Sequence, residues 1–178
     1  MQIFRPFESH AQTAQFLDDV RLNKQIVEAY QIAILCLKRM ELVPAEKMGY
    51  NHHPMVDFIF NQEKPYIPDL MIYIKVLNDE WINRGFKRSP DFIDKLNKIN
   101  QLILDNLSRF SLGKMPPYYL YGGVVDTTTN AYQMYQDLLY QKWSQDKIKV
   151  KVTLKKPRGD KSLGFMYAVE VDSKVSIT

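Results

Sequence analysis

The stretch from Arg21 to Met40 places apolar residues three or four positions apart, and this spacing constrains the fold of the chain most strongly. Leu22, Ile26, Ala33 and Leu37 fall on one side of a helix with that period, so the pattern predicts a long amphipathic α-helix. Such a helix is stable mainly when its apolar face packs against other elements. The stretch therefore predicts a helix that lies against a hydrophobic core.

Further start signals predict that most of the chain before Trp143 is helical. A capping box at Ser9 predicts a helix to about Asp18, and His53–Pro54 predicts the start of another. Three more helices are predicted: one from a cap at Asp69 to Asn83, one from Ser89–Pro90 to Leu107, and one from a cap at Thr129 or Asn130 to Trp143. The segment PPYYLYGG, residues 116–123, is predicted to be irregular. The sequence therefore predicts a mainly α fold.

The hydrophobic period changes after Trp143. Residues 147–154 read KIKVKVTL, and this strict alternation predicts a half-buried strand. The turn residues KPRGD and a second alternating run from Phe165 to Val171 complete a predicted β-hairpin with one apolar and one lysine-rich face. A lone hairpin is marginally stable, so its apolar face should pack on the helical body. We expect a compact helical domain over residues 1–143 and a basic β-hairpin over residues 144–178.

The positive charge of the chain is concentrated in this predicted hairpin. Residues 145–178 contain eight Lys or Arg residues and four acidic residues, and the first 144 residues are balanced. The net charge of +4 therefore lies in the last fifth of the chain. Such asymmetry favours a polyanionic partner, so nucleic acid, DNA above all, or a nucleotide is the expected ligand.

Other features argue against several classes of protein. The single cysteine, Cys36, permits no intramolecular disulfide and no cysteine-based zinc cluster, and we expect no metal site. No apolar run approaches the ~20 residues that cross a bilayer. The first ten residues, MQIFRPFESH, lack the architecture of a signal peptide, and the chain has no Gly-rich phosphate-binding loop. We therefore expect a cytoplasmic protein without a membrane segment.

The predicted helix over residues 21–40 carries a polar stripe. Five residues at spacings of three and four form it: Arg21, Lys24, Gln25, Glu28 and Gln31. Two interpretations are open. In the first, the stripe is a solvated surface on which Lys24 and Glu28 form a weak ion pair. In the second, Glu28 is a single carboxylate among cations and amides, where it stabilises a developing cation and passes protons.

Two adjacent histidines precede a proline. His52 and His53 would point to different faces of a regular element, so they do not form a metal-binding pair. His53 comes directly before Pro54 and is predicted to cap a helix, which leaves His52 as the candidate ligand or acid. The tyrosines of PPYYLYGG either pack as struts or stack on bases.

Four short motifs occur in the order that one known family shows. They are MQIFRPF at the N-terminus, RLNKQIVE at residues 21–28, GYNHHP at residues 49–54 and EWINRGF at residues 80–86. These segments resemble the MQTF-type start, the RLGKQxxE segment, the GxxxHP segment and the EWxxRG segment of bacterial and phage relatives in the endonuclease V-type pyrimidine-dimer DNA glycosylase family. The resemblance covers roughly residues 1–143.

The resemblance implies a compact helical enzyme, a DNA glycosylase and lyase that acts on damaged or modified bases without a cofactor. It implies that the nucleophile is the α-amine at the start of the chain, that of Met1. This amine would attack the sugar C1′, expel the base and form an imine, and β-elimination would then break the strand. An α-amine titrates near ~7.7–8.0, so a useful fraction of it is neutral at cellular pH. By motif position, the catalytic glutamate is Glu28.

Arg21, Lys24, Gln31 and His52 are then expected to line the substrate pocket. Two features depart from the family pattern. Val27 and Gln31 stand beside Glu28, where the family has arginines that grip the duplex, and Gln2 is larger than the residue that the family exposes after losing Met1.

Two other classes of function remain open. The chain could be a non-catalytic module that uses the same pocket for a nucleotide or a modified base. It could also be a protein-interaction factor, such as an inhibitor, whose basic hairpin meets an acidic partner. The sequence leaves the oligomeric state undetermined.

Lys147, Lys149 and Lys151 are expected to contact phosphates. Replacing all three by serine should weaken DNA binding at every sequence tested, because binding releases fewer counterions from the DNA when it neutralises fewer phosphates. We expect the slope of log affinity against log salt to fall in magnitude by about two to three units. A titration at several salt concentrations measures it. An unchanged slope would show that these lysines do not contact the nucleic acid.

Overall fold

The computed structural model describes residues 1–46 and 49–153. This part of the chain contains six α-helices and one two-stranded antiparallel sheet. The elements are α1 (His10–Phe16), α2 (Asp19–Arg39), α3 (Pro54–Phe60), α4 (Ile67–Asn83), α5 (Pro90–Asp105), β1 (Tyr119–Tyr121), β2 (Val124–Asp126) and α6 (Asn130–Gln145), with a short 3₁₀ helix at Leu107–Arg109.

Helix α2 lies at the centre of the fold, where it packs against α3 and α4. The four apolar residues that predicted it, from Leu22 to Leu37, are fully buried, so the predicted core-facing helix is confirmed. The helix begins at Asp19 and not at Arg21, because the Asp18 carboxylate accepts a hydrogen bond of 3.0 Å from the Arg21 backbone N–H.

The predicted caps have different outcomes. Ser9 and Ser89 cap α1 and α5, and His53 caps α3, as predicted. The predicted cap at Asp69 is wrong, since α4 begins at Ile67 and Asp69 is buried in its first turn.

Asp69 instead joins distant parts of the chain. One carboxylate oxygen lies 3.0 Å from His10 Nε2, and the other accepts a 2.8 Å hydrogen bond from the Met115 backbone N–H. Burial alone would raise the pKa of Asp69, but these hydrogen bonds outweigh it and hold the pKa below its ordinary value. The sequence around Asp69 does not distinguish a helix cap from a buried carboxylate, because the partners of the buried carboxylate are distant in sequence.

The mainly α fold with a small antiparallel hairpin is confirmed, but the hairpin that the structure describes is at residues 119–126 and not within the predicted range of 144–178. It occupies part of the segment that was predicted to be irregular. Tyr119 pairs with Asp126 and Tyr121 with Val124, so only Gly122 and Gly123 form the turn. Both glycines have positive φ, 60° and 79°, as a tight two-residue hairpin turn requires.

The predicted strand over residues 147–154 is wrong for the part that the structure describes, because residues 147–153 contain no strand. Their polar groups bind the start of α2 instead of a partner strand. The Lys151 carbonyl accepts from the Asp19 N–H at 2.9 Å, and the Thr153 N–H and hydroxyl donate to the Asp19 carboxylate at 3.0 and 2.6 Å. The turn and the second strand of the predicted basic hairpin lie outside the described residues, and the division at residue 143 stays a prediction.

Among the described residues, none of the helices is both long and apolar enough to span a bilayer.

A buried ion-pair cluster fixes α4 against the start of α2. The Arg84 guanidinium donates to Asp19 at 2.9 Å, to Glu80 at 2.8 Å and to the Ala14 carbonyl at 2.9 Å. Burial opposes ionisation of Asp19, but its hydrogen bonds from Thr153 and the charge of Arg84 more than compensate, so the pKa of Asp19 lies below its ordinary value.

Replacing Arg84 by methionine should destabilise the protein by about 3–5 kcal/mol, because two partly buried carboxylates lose their cation. The matched control is Lys75→Met, which removes an exposed ion pair with Asp79 and should cost no more than about 0.5 kcal/mol. Urea unfolding measures both changes. An equal loss in the two variants would contradict a structural role for the Arg84 cluster.

Candidate active site

The first residues of the chain run beside the carboxylate of Glu28. The backbone N–H of Gln2 donates a 2.9 Å hydrogen bond to Glu28 Oε2. The Glu28 side chain is 14% exposed, so it is largely shielded from water but still open to a ligand. The fold therefore places a backbone nitrogen from the start of the chain against the carboxylate that the sequence singled out.

A buried glutamine determines this arrangement. Gln25 lies one helical turn before Glu28 on α2, and its side-chain amide bonds two backbones. Its Oε1 accepts from the Phe4 N–H and its Nε2 donates to the Gln2 carbonyl, both at 2.8 Å. These are the two bonds that a neighbouring strand would supply, so the N-terminal segment is fixed in register with α2.

Two tyrosines complete the support of this segment. The Tyr73 hydroxyl lies 3.0 Å from the Phe4 carbonyl oxygen and 3.2 Å from Gln25 Oε1. Burial raises the pKa of Tyr73 far above its ordinary value, so this hydroxyl keeps its proton and remains a donor. The Tyr135 hydroxyl accepts from the Gln2 side-chain amide at 2.8 Å and from the Leu120 N–H at 3.1 Å. Tyr135 thereby connects the N-terminal segment to the hairpin.

A pocket of about 480 Å³ opens in front of Glu28, within the range of roughly 300–1,000 Å³ that ligand sites occupy. It is lined by the N-terminal segment, by α2, by the start of α3, by the hairpin and by α6. The lining residues are Met1, Gln2, Phe4, Lys24, Glu28, His53, Pro54, Leu120, Tyr121, Gly122, Gly123, Val124, Val125 and Lys142.

Among the described residues, the charged side chains that line the pocket are the Glu28 carboxylate and the two lysines, Lys24 and Lys142. Lys24 Nζ lies 3.8 Å from Glu28 Oε1, and the Lys24 side chain is 66% exposed. An ion pair of this length and exposure is weak, so Lys24 remains available to a ligand. Lys142 Nζ hydrogen-bonds the Tyr121 hydroxyl at 2.8 Å, at the hairpin side of the pocket. The pocket thus offers a carboxylate in its wall and cations near its edges.

His53 contributes a neutral imidazole to the same pocket. Its Nδ1 accepts a 3.1 Å hydrogen bond from the Met55 N–H at the start of α3, so the proton of the neutral ring is assigned to Nε2. Partial burial and the positive N-terminus lower the pKa of His53, and the charges of Glu28 and Asp57 only partly oppose this. His53 Nε2–H is therefore a hydrogen-bond donor.

The structure brings together three of the residues that the sequence proposed. Met1, Lys24 and Glu28 all line the pocket. Arg21 does not line it, because its guanidinium forms two hydrogen bonds to Asp146 at 2.8 and 3.0 Å and a third to Asp18.

The other proposed residues also lie outside this pocket. Gln31 and His52 are exposed and do not line it, and neither do the exposed residues Lys147, Lys149 and Lys151. Sequence reasoning missed His53 as a pocket residue, and it missed the hairpin. The Gly-Gly pair between YLY and VVD was a signal for that hairpin.

Comparison with known families identifies the chain. The profile of the family described as pyrimidine dimer DNA glycosylase matches residues 1–94, slightly more than half of the sequence. The chain belongs to this family. The resemblance noted from the short motifs is thereby confirmed, although the matched region ends at residue 94. No match was found among curated proteins or among solved structures.

Membership of a DNA glycosylase family supports a glycosylase-type function and a DNA partner. The matched region includes the N-terminal segment, Gln25, Glu28 and His53. The hairpin and α6, which form the opposite wall of the pocket, lie beyond it. One wall of the pocket therefore lies within the matched region, and the opposite wall lies beyond it.

Gln25→Met removes the amide that fixes the N-terminal segment while keeping the side-chain length. We expect a loss of about 1–3 kcal/mol in unfolding free energy, because the Phe4 N–H and the Gln2 carbonyl lose their partners. Hydrogen exchange at the Phe4 amide should also become faster. The matched control is Gln31→Met on the exposed face of α2, and similar stability and exchange in the two variants would contradict this role for Gln25.

Proposed function

We propose that the protein is a DNA glycosylase with lyase activity, in which the α-amine of the first residue is the nucleophile and Glu28 is the catalytic carboxylate. The observation that carries the proposal is the 2.9 Å contact between the Gln2 nitrogen and Glu28 Oε2, inside a pocket of a family member. This contact brings the start of the chain to the one carboxylate of the pocket.

The chemistry follows from these groups. The neutral amine attacks the sugar C1′, a C–N bond forms, and the bond from C1′ to the base breaks with its electrons leaving on the base, which takes up a proton. The nitrogen then gives up its second proton as its electron pair forms a C1′=N double bond. The C1′–O4′ bond breaks with its electrons on O4′, which takes up a proton, so that the sugar ring is open and an imine remains. Glu28 then accepts a proton from C2′, and the C3′–O bond breaks so that the 3′ phosphate departs.

The carboxylate serves two stages of this sequence. While the base leaves, the sugar carries positive charge, which a carboxylate in a shielded pocket stabilises more strongly than water would. During elimination the same group accepts a proton. Glu28 suits both tasks because it is largely shielded and its only cationic side-chain partner, among the described ion pairs, is the weakly held Lys24.

The surrounding groups have supporting roles in this proposal. Lys24 and Lys142, which line the pocket, bind phosphates of the DNA. His53 Nε2–H donates a hydrogen bond to the departing base or to a sugar oxygen, and it does not act as a base, because its Nδ1 already accepts from the Met55 N–H.

The identity of the first amine depends on Met1. With Met1 present, the Gln2 nitrogen is an amide, and the amine of Met1, which also lines the pocket, is the nucleophile. Removal of Met1 would turn the nitrogen beside Glu28 into a free amine. The intact mass of the purified protein distinguishes the two forms.

Borohydride reduction on abasic-site DNA tests the proposal, because only an imine is reduced to a stable crosslink. We expect the wild type to be trapped and to cleave the strand, and Glu28→Gln to cleave at least about a hundredfold more slowly. The control is Glu63→Gln, which changes an exposed glutamate outside the pocket and should cleave at the wild-type rate. A wild type that binds this DNA but is never trapped would favour a non-catalytic binding module.

A further inference from the structure

Arg88 differs from the other arginines in the described part of the chain. Each of the others donates to a carboxylate or to a backbone carbonyl oxygen. Arg88 donates only to side-chain amide oxygens, to Asn78 Oδ1 at 3.0 Å and to Asn23 Oδ1 at 2.9 Å. Both acceptors are neutral, so Arg88 has no anionic partner among the described residues.

Two aromatic rings hold the Arg88 guanidinium between them. Its Cζ lies 5.3 Å from the ring centroid of Trp81 and 5.3 Å from that of Phe92. The rings attract the cation but carry no net charge. Arg88 is half-buried, its Nη2 is buried with no hydrogen-bond partner among the described residues, and burial lowers its pKa. A partly desolvated charge is therefore held in place at a free-energy cost that a bound anion would offset.

The acidic residues near Arg88 in the sequence do not supply that anion. The nearest ones on α4 and α5 are Glu80 and Asp91. Each already has a cation, since Glu80 pairs with Arg84 at 2.8 Å and Asp91 pairs with Lys95 at 2.7 Å. The unbalanced charge of Arg88 therefore points to an anion from outside this part of the chain.

Arg88 lies beside the pocket of Glu28. Asn23, which accepts its hydrogen bond, directly precedes Lys24 on α2, and Lys24 lines that pocket. The region that matches the DNA glycosylase family, residues 1–94, contains all of these residues. DNA that reaches Glu28 would carry further phosphates along the surface beside the pocket, because every nucleotide of the strand has one.

We propose that Arg88 binds a backbone phosphate of the duplex DNA that occupies the pocket of Glu28. This inference rests on the proposed function, which supplies the DNA. The planar fork of a guanidinium matches two phosphate oxygens, and the rings of Trp81 and Phe92 fix its plane before the ligand arrives. Phosphate contacts set the position of a protein on a duplex without reading its sequence. Arg88 is therefore a positioning residue for DNA at Glu28.

The salt dependence of DNA binding tests the proposal on a duplex with a tetrahydrofuran abasic analogue, which cannot form an imine. Arg88→Gln keeps an amide donor but removes the charge. The slope of log affinity against log salt should fall in magnitude by about one unit, and binding should be about fivefold weaker at ~0.1 M salt. Arg88→Lys restores the charge and should restore the slope. A wild-type slope in Arg88→Gln would overturn the proposal.

The matched control is Arg39→Gln. Arg39 is also half-buried, its Cζ lies 5.1 Å from the ring centroid of Phe60, and it also donates to an asparagine, Asn51. It differs because it has an anionic partner, Asp57, at 2.7 Å. The control should keep the wild-type slope, and urea unfolding verifies that both variants are folded. An equal fall of the slope in the two variants would overturn a specific phosphate contact at Arg88.

A measurement on the wild type needs no change in the fold. The Arg88 Nε–H is protected from exchange by its hydrogen bond to Asn78, so its NMR resonance should be visible, and its loss in Arg88→Lys assigns it. The tetrahydrofuran duplex should shift this resonance and leave that of Arg39 Nε–H unchanged. No shift at saturating duplex would overturn the proposal. A shift with inorganic phosphate alone would exclude DNA as the ligand and favour an acidic protein.

Neither measurement on Arg88 involves strand cleavage. A wild type that binds the duplex but is never trapped by borohydride would contradict the proposed chemistry, while the salt slope and the resonance still decide the phosphate contact. A wild type that is trapped, with an unchanged slope in Arg88→Gln, would contradict the phosphate contact alone.

Discussion

The side-chain amide of Gln25 hydrogen-bonds the backbones of Gln2 and Phe4 in the interior of the protein, as a neighbouring β-strand would. Because Gln25 and Glu28 are one turn apart on α2, the bond that fixes the register of the N-terminal segment also determines which nitrogen meets the carboxylate. The buried Tyr73 hydroxyl keeps this amide in place. The N-terminal segment cannot slip along α2 without leaving polar groups unpaired in the core. The hydrogen bonds of Gln25 therefore fix the position of this segment beside α2.

Charge is divided between structure and pocket. The guanidinium groups of Arg5, Arg21 and Arg84 donate hydrogen bonds to carbonyls and carboxylates of distant segments, and these bonds stabilise the fold. The forked geometry of arginine suits such multiple contacts. Among the described residues, the cationic side chains that line the pocket are Lys24 and Lys142, and the compact charge of a lysine suits a phosphate without a fixed geometry. In the proposed function, these two lysines provide the cations for DNA, because Val27 and Gln31 stand beside Glu28.

Local chemistry made much of the helical framework predictable. The caps at Ser9, His53 and Ser89 and the buried face of α2 depend on short-range spacing, which the sequence displays directly. Long-range partners were not predictable in the same way. Asp69 is a residue type that often caps helices, but its carboxylate is hydrogen-bonded to His10 and Met115. Residues 147–153 alternate as a strand would, but they form hydrogen bonds to the start of α2 and no strand. His53 was predicted to be a cap and His52 the candidate ligand or acid. His53 does cap α3 through its Nδ1, but it also lines the pocket, and His52 does not.

The central claim is that the start of the chain, and not a lysine, supplies the nucleophile beside Glu28. Borohydride-trapped protein, digested and sequenced by mass spectrometry, locates the crosslinked residue directly. We expect the modified peptide to be the N-terminal one, with the DNA remnant on its α-nitrogen. A remnant on Lys24 or Lys142, the two lysines of the pocket, would contradict it.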